Sequence, residues 1–106
     1  PGAAKAVAGA QELAAERGGK LFVVTPGMVE LGALQAKRNR ELGEAIAAAG
    51  ATCYAVGLTN RKALVAGAGE STKVFLTRDD AVGAVFQEAG ARDVILYEND
   101  LPDHYP

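Results

Sequence analysis

The sequence predicts an α/β fold, and three observations predict it. Short apolar runs rich in β-favouring residues alternate with longer segments whose apolar residues recur at helical spacing. Glycine or Pro-Gly marks most of the boundaries between them. The chain has 106 residues, which suits one domain with a real core. Alternating strands and helices imply a Rossmann-like, three-layer domain, with a mostly parallel sheet of about four strands and helices on both faces.

Each element follows from its local pattern. Strands are predicted at residues 20–25, 51–56, 73–76 and 93–97. Helices are predicted at residues 3–17, from 30 or 32 to 49, at 60–66, and between 77 and 90. Asn60 is a candidate N-cap, and Thr77 with Asp80 resembles a capping box. Helical spacing turns Leu13, Leu34 and Phe86 towards the core.

Composition excludes several classes of function. A net charge of −2 argues against nucleic acid as the main partner. No apolar run approaches the roughly 18 residues of a membrane span, and the first five residues do not resemble a signal peptide. The single cysteine, Cys53, excludes a disulfide framework and is predicted to be a small core residue. A cytoplasmic protein is therefore expected, and the abrupt start at Pro1-Gly2 suggests a piece of a longer chain.

The carboxyl ends of the predicted strands gather a polar rim. It comprises residues 25–28, 57–61, 77–79 and 98–100. In open α/β sheets, ligands bind outside these ends. Glycines at 27 and 32 would let the backbone approach an anion, although an ordinary strand-to-helix turn explains them equally. Neither a G-x-G-x-x-G sequence nor a P-loop sequence is present.

Every candidate side chain on this rim has a structural alternative. Glu30 suits an amine or a bridged metal, or simply the positive end of a helix dipole. Asn39 is either functional or solvated. Arg61 and Arg78 suit a carboxylate or phosphate, or are merely exposed. Glu98, Asn99, Asp100 and Asp103 could hold a cation or ammonium group, or solubilise a terminus, and the lone His104 gives little support to triad catalysis. The residues predict a ligand rim and no reaction.

One stretch resembles a known family. Residues 23–32, which read VVTPGMVELG, together with Gln35, Asn39 and Gly43, resemble the C-terminal domain of Mur ligases. The branch of the UDP-N-acetylmuramoyl-tripeptide–D-alanyl-D-alanine ligase is the most similar. The opening PGAAKAV resembles the segment just after the Asn-Pro of that family's Asp-Asp-x-Tyr-Asn-x-Asn-Pro motif. The ending ENDLPD resembles Mur-ligase-like proteins of another substrate, since the peptidoglycan enzyme has Lys-Gly-Ser there.

The resemblance implies part of a three-domain, ATP-dependent amide ligase. In that family the central domain carries the P-loop, and the C-terminal domain closes over ATP and helps position an amine that attacks an acyl phosphate. Thr25, Pro26, Gly27 and Met28 would then face the nucleotide. The residues that the resemblance implies for binding the amino substrate are Glu30, Asn39, Arg61, Glu98, Asn99 and Asp100. ATP and Mg²⁺ would act only in the full-length enzyme, whose other domains and amino substrate are the expected partners.

Two other interpretations of the sequence stay open. One is a stand-alone, non-catalytic α/β module that binds a nucleotide or a partner, and a homo-oligomer of this chain is compatible with it. The other is a flavodoxin- or receiver-like domain, which is disfavoured because no strand ends in an isolated Asp. No residue is assigned a catalytic or metal-binding role. The ligase interpretation also expects a strand before Pro1 that belongs near the centre of the sheet.

Overall fold

The computed structural model describes residues 2–98, so the predicted site residues Asn99 and Asp100 lie outside the described part. The helices are α1 (Gly2–Arg17), α2 (Gln35–Ala48), α3 (Arg61–Ala68) and α4 (Arg78–Glu88), and one 3-10 turn (Gly32–Leu34) precedes α2. The strands are β1 (Leu21–Thr25), β2 (Thr52–Val56), β3 (Lys73–Phe75) and β4 (Val94–Tyr97). The predicted α/β class is confirmed, and α3 continues two residues beyond its predicted end.

The described strands form one parallel sheet in the order β3-β2-β1-β4. The chain runs from β1 outward to β2 and β3, and then returns to the other side of β1. Helices α1, α2 and α3 cover one face of the sheet, and α4 lies on the other. The expected arrangement of helices on both faces is therefore confirmed. The strand order reverses beside β1.

Strand β1 is the centre of the sheet, and all five of its residues are buried. Phe22 to Thr25 pair with β2, and Leu21 to Val24 pair with β4. The described strands leave no gap beside β1. A further strand would therefore have to join at an edge or separate β1 from β4.

Two cores lie on opposite faces of the sheet. The core under α1, α2 and α3 is aliphatic and includes Cys53, which is 1% exposed and whose thiol pKa is raised to about 12 by burial. The core under α4 contains Tyr54, packed edge-on to Phe22 at 5.9 Å and stacked on Phe75 at 5.7 Å between ring centroids. Cys53 is thus the small core residue that the sequence predicted.

Helices α2 and α3 touch through glycines. A Cβ at Gly43 would lie 2.5 Å from the Leu64 carbonyl oxygen, and one at Gly67 would lie 2.0 Å from the Arg40 carbonyl oxygen. The two backbones are therefore in direct contact, which a side chain at either position would prevent.

Three predicted core residues are exposed instead. Leu13 is 45%, Leu34 48% and Phe86 63% exposed. Leu34 lies in the 3-10 turn, which changes the helical phase before α2 begins. On α4 the buried residues are Ala81 and Val85, a narrow i, i+4 stripe that leaves Phe86 on the outer surface. Among the described helices, none is both long and apolar enough to cross a membrane.

Asp93 joins the amino ends of the two neighbouring strands β1 and β4. Its carboxylate accepts hydrogen bonds from the Gly90 N–H and the Lys20 N–H, both at 2.7 Å. These bonds, that to Gly90 first, hold the pKa of Asp93 below its ordinary value. The folded state is therefore stabilised by the ionised carboxylate.

A substitution pair tests the helix contact. Gly67→Ala should destabilise the fold by about 1–3 kcal/mol, because the new methyl group overpacks a backbone contact. Gly83→Ala is the matched control on α4, where a Cβ meets nothing within 4 Å. It should stabilise by about 0.5–1 kcal/mol through helix propensity. Urea unfolding measures the free energy of unfolding of both variants. Equal changes in the two would contradict the backbone contact between α2 and α3.

Acid unfolding tests the Asp93 contact. A depressed pKa in the folded state gives stability that is present above the ordinary aspartate pKa and is lost as pH falls through the lowered value. Asp93→Asn should lower the melting temperature at pH 7 and flatten its dependence on pH below about 4. Glu70→Gln, at an exposed position outside the helices, serves as the control. If the melting temperatures of Asp93→Asn and of the parent protein fell equally with acid, the ionised Asp93 carboxylate would not stabilise the fold.

Candidate functional site

The loop between β1 and α2, residues 26–31, lies at the carboxyl end of the central strand. We call it the β1–α2 loop. Three side chains beneath it, Gln35, Asn39 and Asn60, form a group that we call the amide cluster. Its hydrogen bonds fix the loop, and they join the predicted nucleotide segment to α2 and to the residue just before α3.

Asn39 is fully buried, at 0% exposure, and its amide is bonded to backbone groups. Its Oδ1 accepts a hydrogen bond from the Met28 N–H at 2.7 Å. Its Nδ2 donates to the Met28 and Gln35 carbonyl oxygens, both at 2.9 Å. The alternative that Asn39 is a solvated side chain is therefore wrong. Asn39 acts on any ligand only through the loop that it holds.

Asn60 supports the same loop from the other side. Its Nδ2 donates to the Pro26 carbonyl oxygen at 2.9 Å and to that of Met28 at 3.2 Å. Its Oδ1 accepts from Gln35 Nε2 at 2.8 Å. The predicted side-chain cap of α3 is wrong, because this amide turns away from the helix it precedes. The predicted Thr77 cap is confirmed, since Thr77 Oγ1 accepts from the Asp80 N–H at 3.1 Å.

Gly27 allows the loop to reach the cluster. Its φ is 81°, and a Cβ there would lie 2.5 Å from Asn39 Oδ1. Both the left-handed backbone and the missing side chain are therefore needed. Thr25, at 0% exposure, accepts a hydrogen bond from the Gly27 N–H on its Oγ1 at 2.9 Å.

These bonds decide how the loop can meet a nucleotide. The N–H groups of Gly27 and Met28 donate to side chains of the protein, so this stretch is not a phosphate cradle. Among residues 2–98, no group of three or more His, Cys, Asp or Glu is placed to hold a metal ion. The loop's outer surface instead carries Val29 and Leu31, which are 44% and 37% exposed. It suits the apolar part of a ligand better than phosphates or Mg²⁺.

Glu30 holds an unfavourable backbone conformation on this surface. Its φ is 63°, the left-handed region that costs a residue with a Cβ about 1–2 kcal/mol. Its interpretation as a first-turn acid of α2 is wrong, because α2 begins at Gln35 and has no acid in its first turn. Left-handed non-glycine residues concentrate at binding and catalytic sites. The left-handed backbone of Glu30 therefore makes its exposed carboxylate a candidate ligand-binding group.

The two predicted arginines differ in their surroundings. Arg61 begins α3 and is half-buried, and its Nε lies away from solvent with no hydrogen-bond partner among the described residues. A buried guanidinium N–H without an acceptor matches a site for an oxyanion. Arg78 begins α4, and its guanidinium lies over the Tyr97 ring at 5.6 Å from the centroid. Its packing on Tyr97 means that Arg78 is not simply an exposed cation.

Glu98 continues β4 next to the end of β1. Its N–H donates to the Val24 carbonyl oxygen at 3.0 Å. The side chain is partly buried, and this desolvation raises the pKa of its carboxyl group. The structure thus places Glu98 at the point where the strand order reverses, beside Thr25.

The structure brings part of the predicted site together. Residues 25–28 and Asn39 form one hydrogen-bonded unit, with Glu98 beside it. The sequence interpretation missed the loop-holding roles of Gln35 and Asn60. A detectable signal existed for one of them, because Gln35 and Asn39 are amides four residues apart on one helix face.

No protein-family model, curated protein or solved structure significantly matches the chain.

Removing the Asn39 amide should loosen the loop. Asn39→Ala leaves the partly buried Met28 N–H without its acceptor, and should destabilise the fold by about 1–3 kcal/mol. Gln87→Ala, at an exposed position of α4, is the control and should stay within about 0.5 kcal/mol. Urea unfolding gives the free energies, and hydrogen exchange at Met28 should accelerate only in Asn39→Ala. An unchanged exchange rate there would show that Asn39 does not hold the loop.

Proposed function

We propose that the chain is the C-terminal domain of an ATP-dependent amide ligase of the Mur family, and that it forms one wall of a cleft for nucleotide and amine. The observation that carries the proposal is the fixed β1–α2 loop at the reversal of strand order. Residues 23–32, Gln35 and Asn39 build this loop and its support, and with Gly43 they carry the family resemblance of this stretch.

Strand order supports a ligand at this position. In open α/β sheets, the crevice lies outside the carboxyl ends of the strands where the order reverses. Here that point is between β1 and β4, flanked by the β1–α2 loop and Glu98. The described order is 3-2-1-4, whereas flavodoxin-like and receiver domains follow 2-1-3-4-5. The receiver-like alternative is therefore disfavoured.

The apolar surface of the β1–α2 loop supports the proposal that other domains bind the phosphates and that this domain contacts other parts of the substrates. ATP supplies the phosphoryl group that activates a substrate carboxylate, and its phosphates with Mg²⁺ belong to a P-loop that residues 1–106 do not contain. Val29 and Leu31 cover apolar parts of the bound molecules and exclude water. Glu30 and Glu98 accept hydrogen bonds from the ammonium group of the amino substrate. Arg61 pairs with that substrate's carboxylate.

This role implies partners and a compartment. The partners are the other domains of the same polypeptide and a small amino substrate. The compartment is the cytoplasm, where ATP is available. Nucleic acid and membrane are not proposed as partners, in keeping with the near-balanced charge of 11 basic and 13 acidic residues.

A stand-alone binding module is the second candidate, and one observation favours it. The sheet is continuous, because β1 pairs directly with β4 over residues 21–24 and 94–97. The described fold needs no strand from another chain to complete its centre. A nucleotide- or partner-binding domain that acts by itself would have this property.

The ligase proposal is tested on the polypeptide encoded by the whole reading frame. That frame should encode a Gly-x-x-x-x-Gly-Lys-Ser/Thr loop and an Asp-x-Tyr-Asn motif before Pro1. The purified product should release ADP only when both a carboxylate and an amine are present. Glu30→Ala should raise the KM for the amine about tenfold or more, because a hydrogen bond to a charged group is lost.

The control for that experiment is Glu70→Ala, an exposed glutamate on the loop after α3. It should leave the KM for the amine unchanged. Equal kinetics in the two variants would remove Glu30 from the site. A frame without the P-loop, together with sub-micromolar ATP binding by residues 1–106 in calorimetry, would replace the ligase proposal with the stand-alone module.

A further inference from the structure

A second concave surface lies between helices α2 and α3, next to the amide cluster, and Gln35 and Asn60 are among its lining residues. We call it the α2–α3 groove. It has a volume of about 650 Å³, and its lining includes Ala36, Ala63 and Ala66. The helices meet at Gly43 and Gly67, so their backbones are in contact towards their carboxyl ends. The groove lies towards their amino ends. Its volume falls within the range of small-molecule sites, about 300–1,000 Å³.

The charge of the groove has one sign. Arg40 from α2 and Lys62 from α3 line it, and none of its lining residues is Asp or Glu. Arg40 approaches Glu44 at 3.8 Å, but both side chains are more than half exposed. Such a pair contributes little stability and yields readily to a stronger partner. Among residues 2–98, these two cations on facing helices therefore have no firm counter-charge.

The helix ends near the groove add to this positive potential. Neither α2 nor α3 has an acidic residue in its first turn, and neither has a side-chain cap. Helix α4, in contrast, is capped by Thr77 and carries Asp79 and Asp80 in its first turn. Acids at this position offset the partial positive charge of a helix amino end. They are missing from both helices that border the groove.

We propose that the α2–α3 groove binds a small molecule with a phosphomonoester group and an apolar body. Arg40 and Lys62 hold the phosphate, whose double negative charge matches two separate cations. The alanine side chains of the lining contact the apolar body, since they expose methyl groups and leave room for a ring. This site does not depend on the ligase role, because Val29, Glu30 and Leu31, which carry that role on the loop, do not line the groove.

Phenyl phosphate is the probe, because it combines a phosphomonoester with a flat apolar ring. In a ¹⁵N–¹H NMR titration of residues 1–106, peaks from residues 32–36 and 59–66 should shift. Inorganic phosphate has the anionic group without the ring, and phenol has the ring without the phosphate. Each should bind at least about tenfold more weakly than phenyl phosphate. Binding of phenol as tight as that of phenyl phosphate would overturn the phosphate assignment. Equal binding of inorganic phosphate would overturn the apolar contact.

Variants separate the groove from general surface charge. Arg40→Ala with Lys62→Ala should weaken phenyl phosphate binding about tenfold or more. Lys5→Ala with Arg17→Ala removes the same charge from α1, outside the groove, and should change binding less than twofold. Ala66→Leu keeps both cations but fills the groove, and should also weaken binding. Equal losses in the two double variants, or no shift at 10 mM phenyl phosphate, would overturn the proposal.

Discussion

The hydrogen bonds between the Asn39 amide and Met28 are the constraint on which the site depends. A buried amide that lost its partners would be costly, so the loop has to follow the position of Asn39. That position is set by α2, whose Leu42 and Ile46 are buried in the core. Gly27 is then the residue that fits above the amide, and Asn60 and Gln35 complete the cluster. The conformation of an exposed loop is thus determined by a side chain inside the protein.

Small side chains connect the fold to both proposed sites. Because α2 and α3 meet at Gly43 and Gly67, α3 lies close enough to α2 for Asn60 to reach the β1–α2 loop. The same closeness lets Arg40 from α2 and Lys62 from α3 line one groove. A bulkier contact between the helices would alter the amide cluster and the groove together. The backbone contact between α2 and α3 therefore influences the geometry of both the β1–α2 loop and the α2–α3 groove.

The sequence predicted the periodic features well and the long-range polar contacts poorly. Strand and helix positions follow from local spacing, which explains the agreement on fold class and on the Thr77 cap. Leu34 and Phe86 were misplaced because a 3-10 turn and a single covering helix changed which positions face the sheet. Asn60 was misassigned because its partners lie 32 and 34 residues away, at a distance that no local pattern encodes. The burial of Asn39 was missed because the neighbouring charged residues suggest a solvated face, although its partners Met28 and Gln35 lie only 11 and 4 residues away.

The hydrogen bonds of the β1–α2 loop also have a consequence for the thermodynamics of binding. Ordering a free backbone residue costs about 1–2 kcal/mol of conformational entropy, and a flexible loop pays that cost when its ligand arrives. In the folded domain Pro26 is already bonded to Asn60, Gly27 to Thr25 and Met28 to Asn39. The cost of ordering them is therefore met by the stability of the domain. A ligand that contacts this surface keeps more of its interaction energy as affinity.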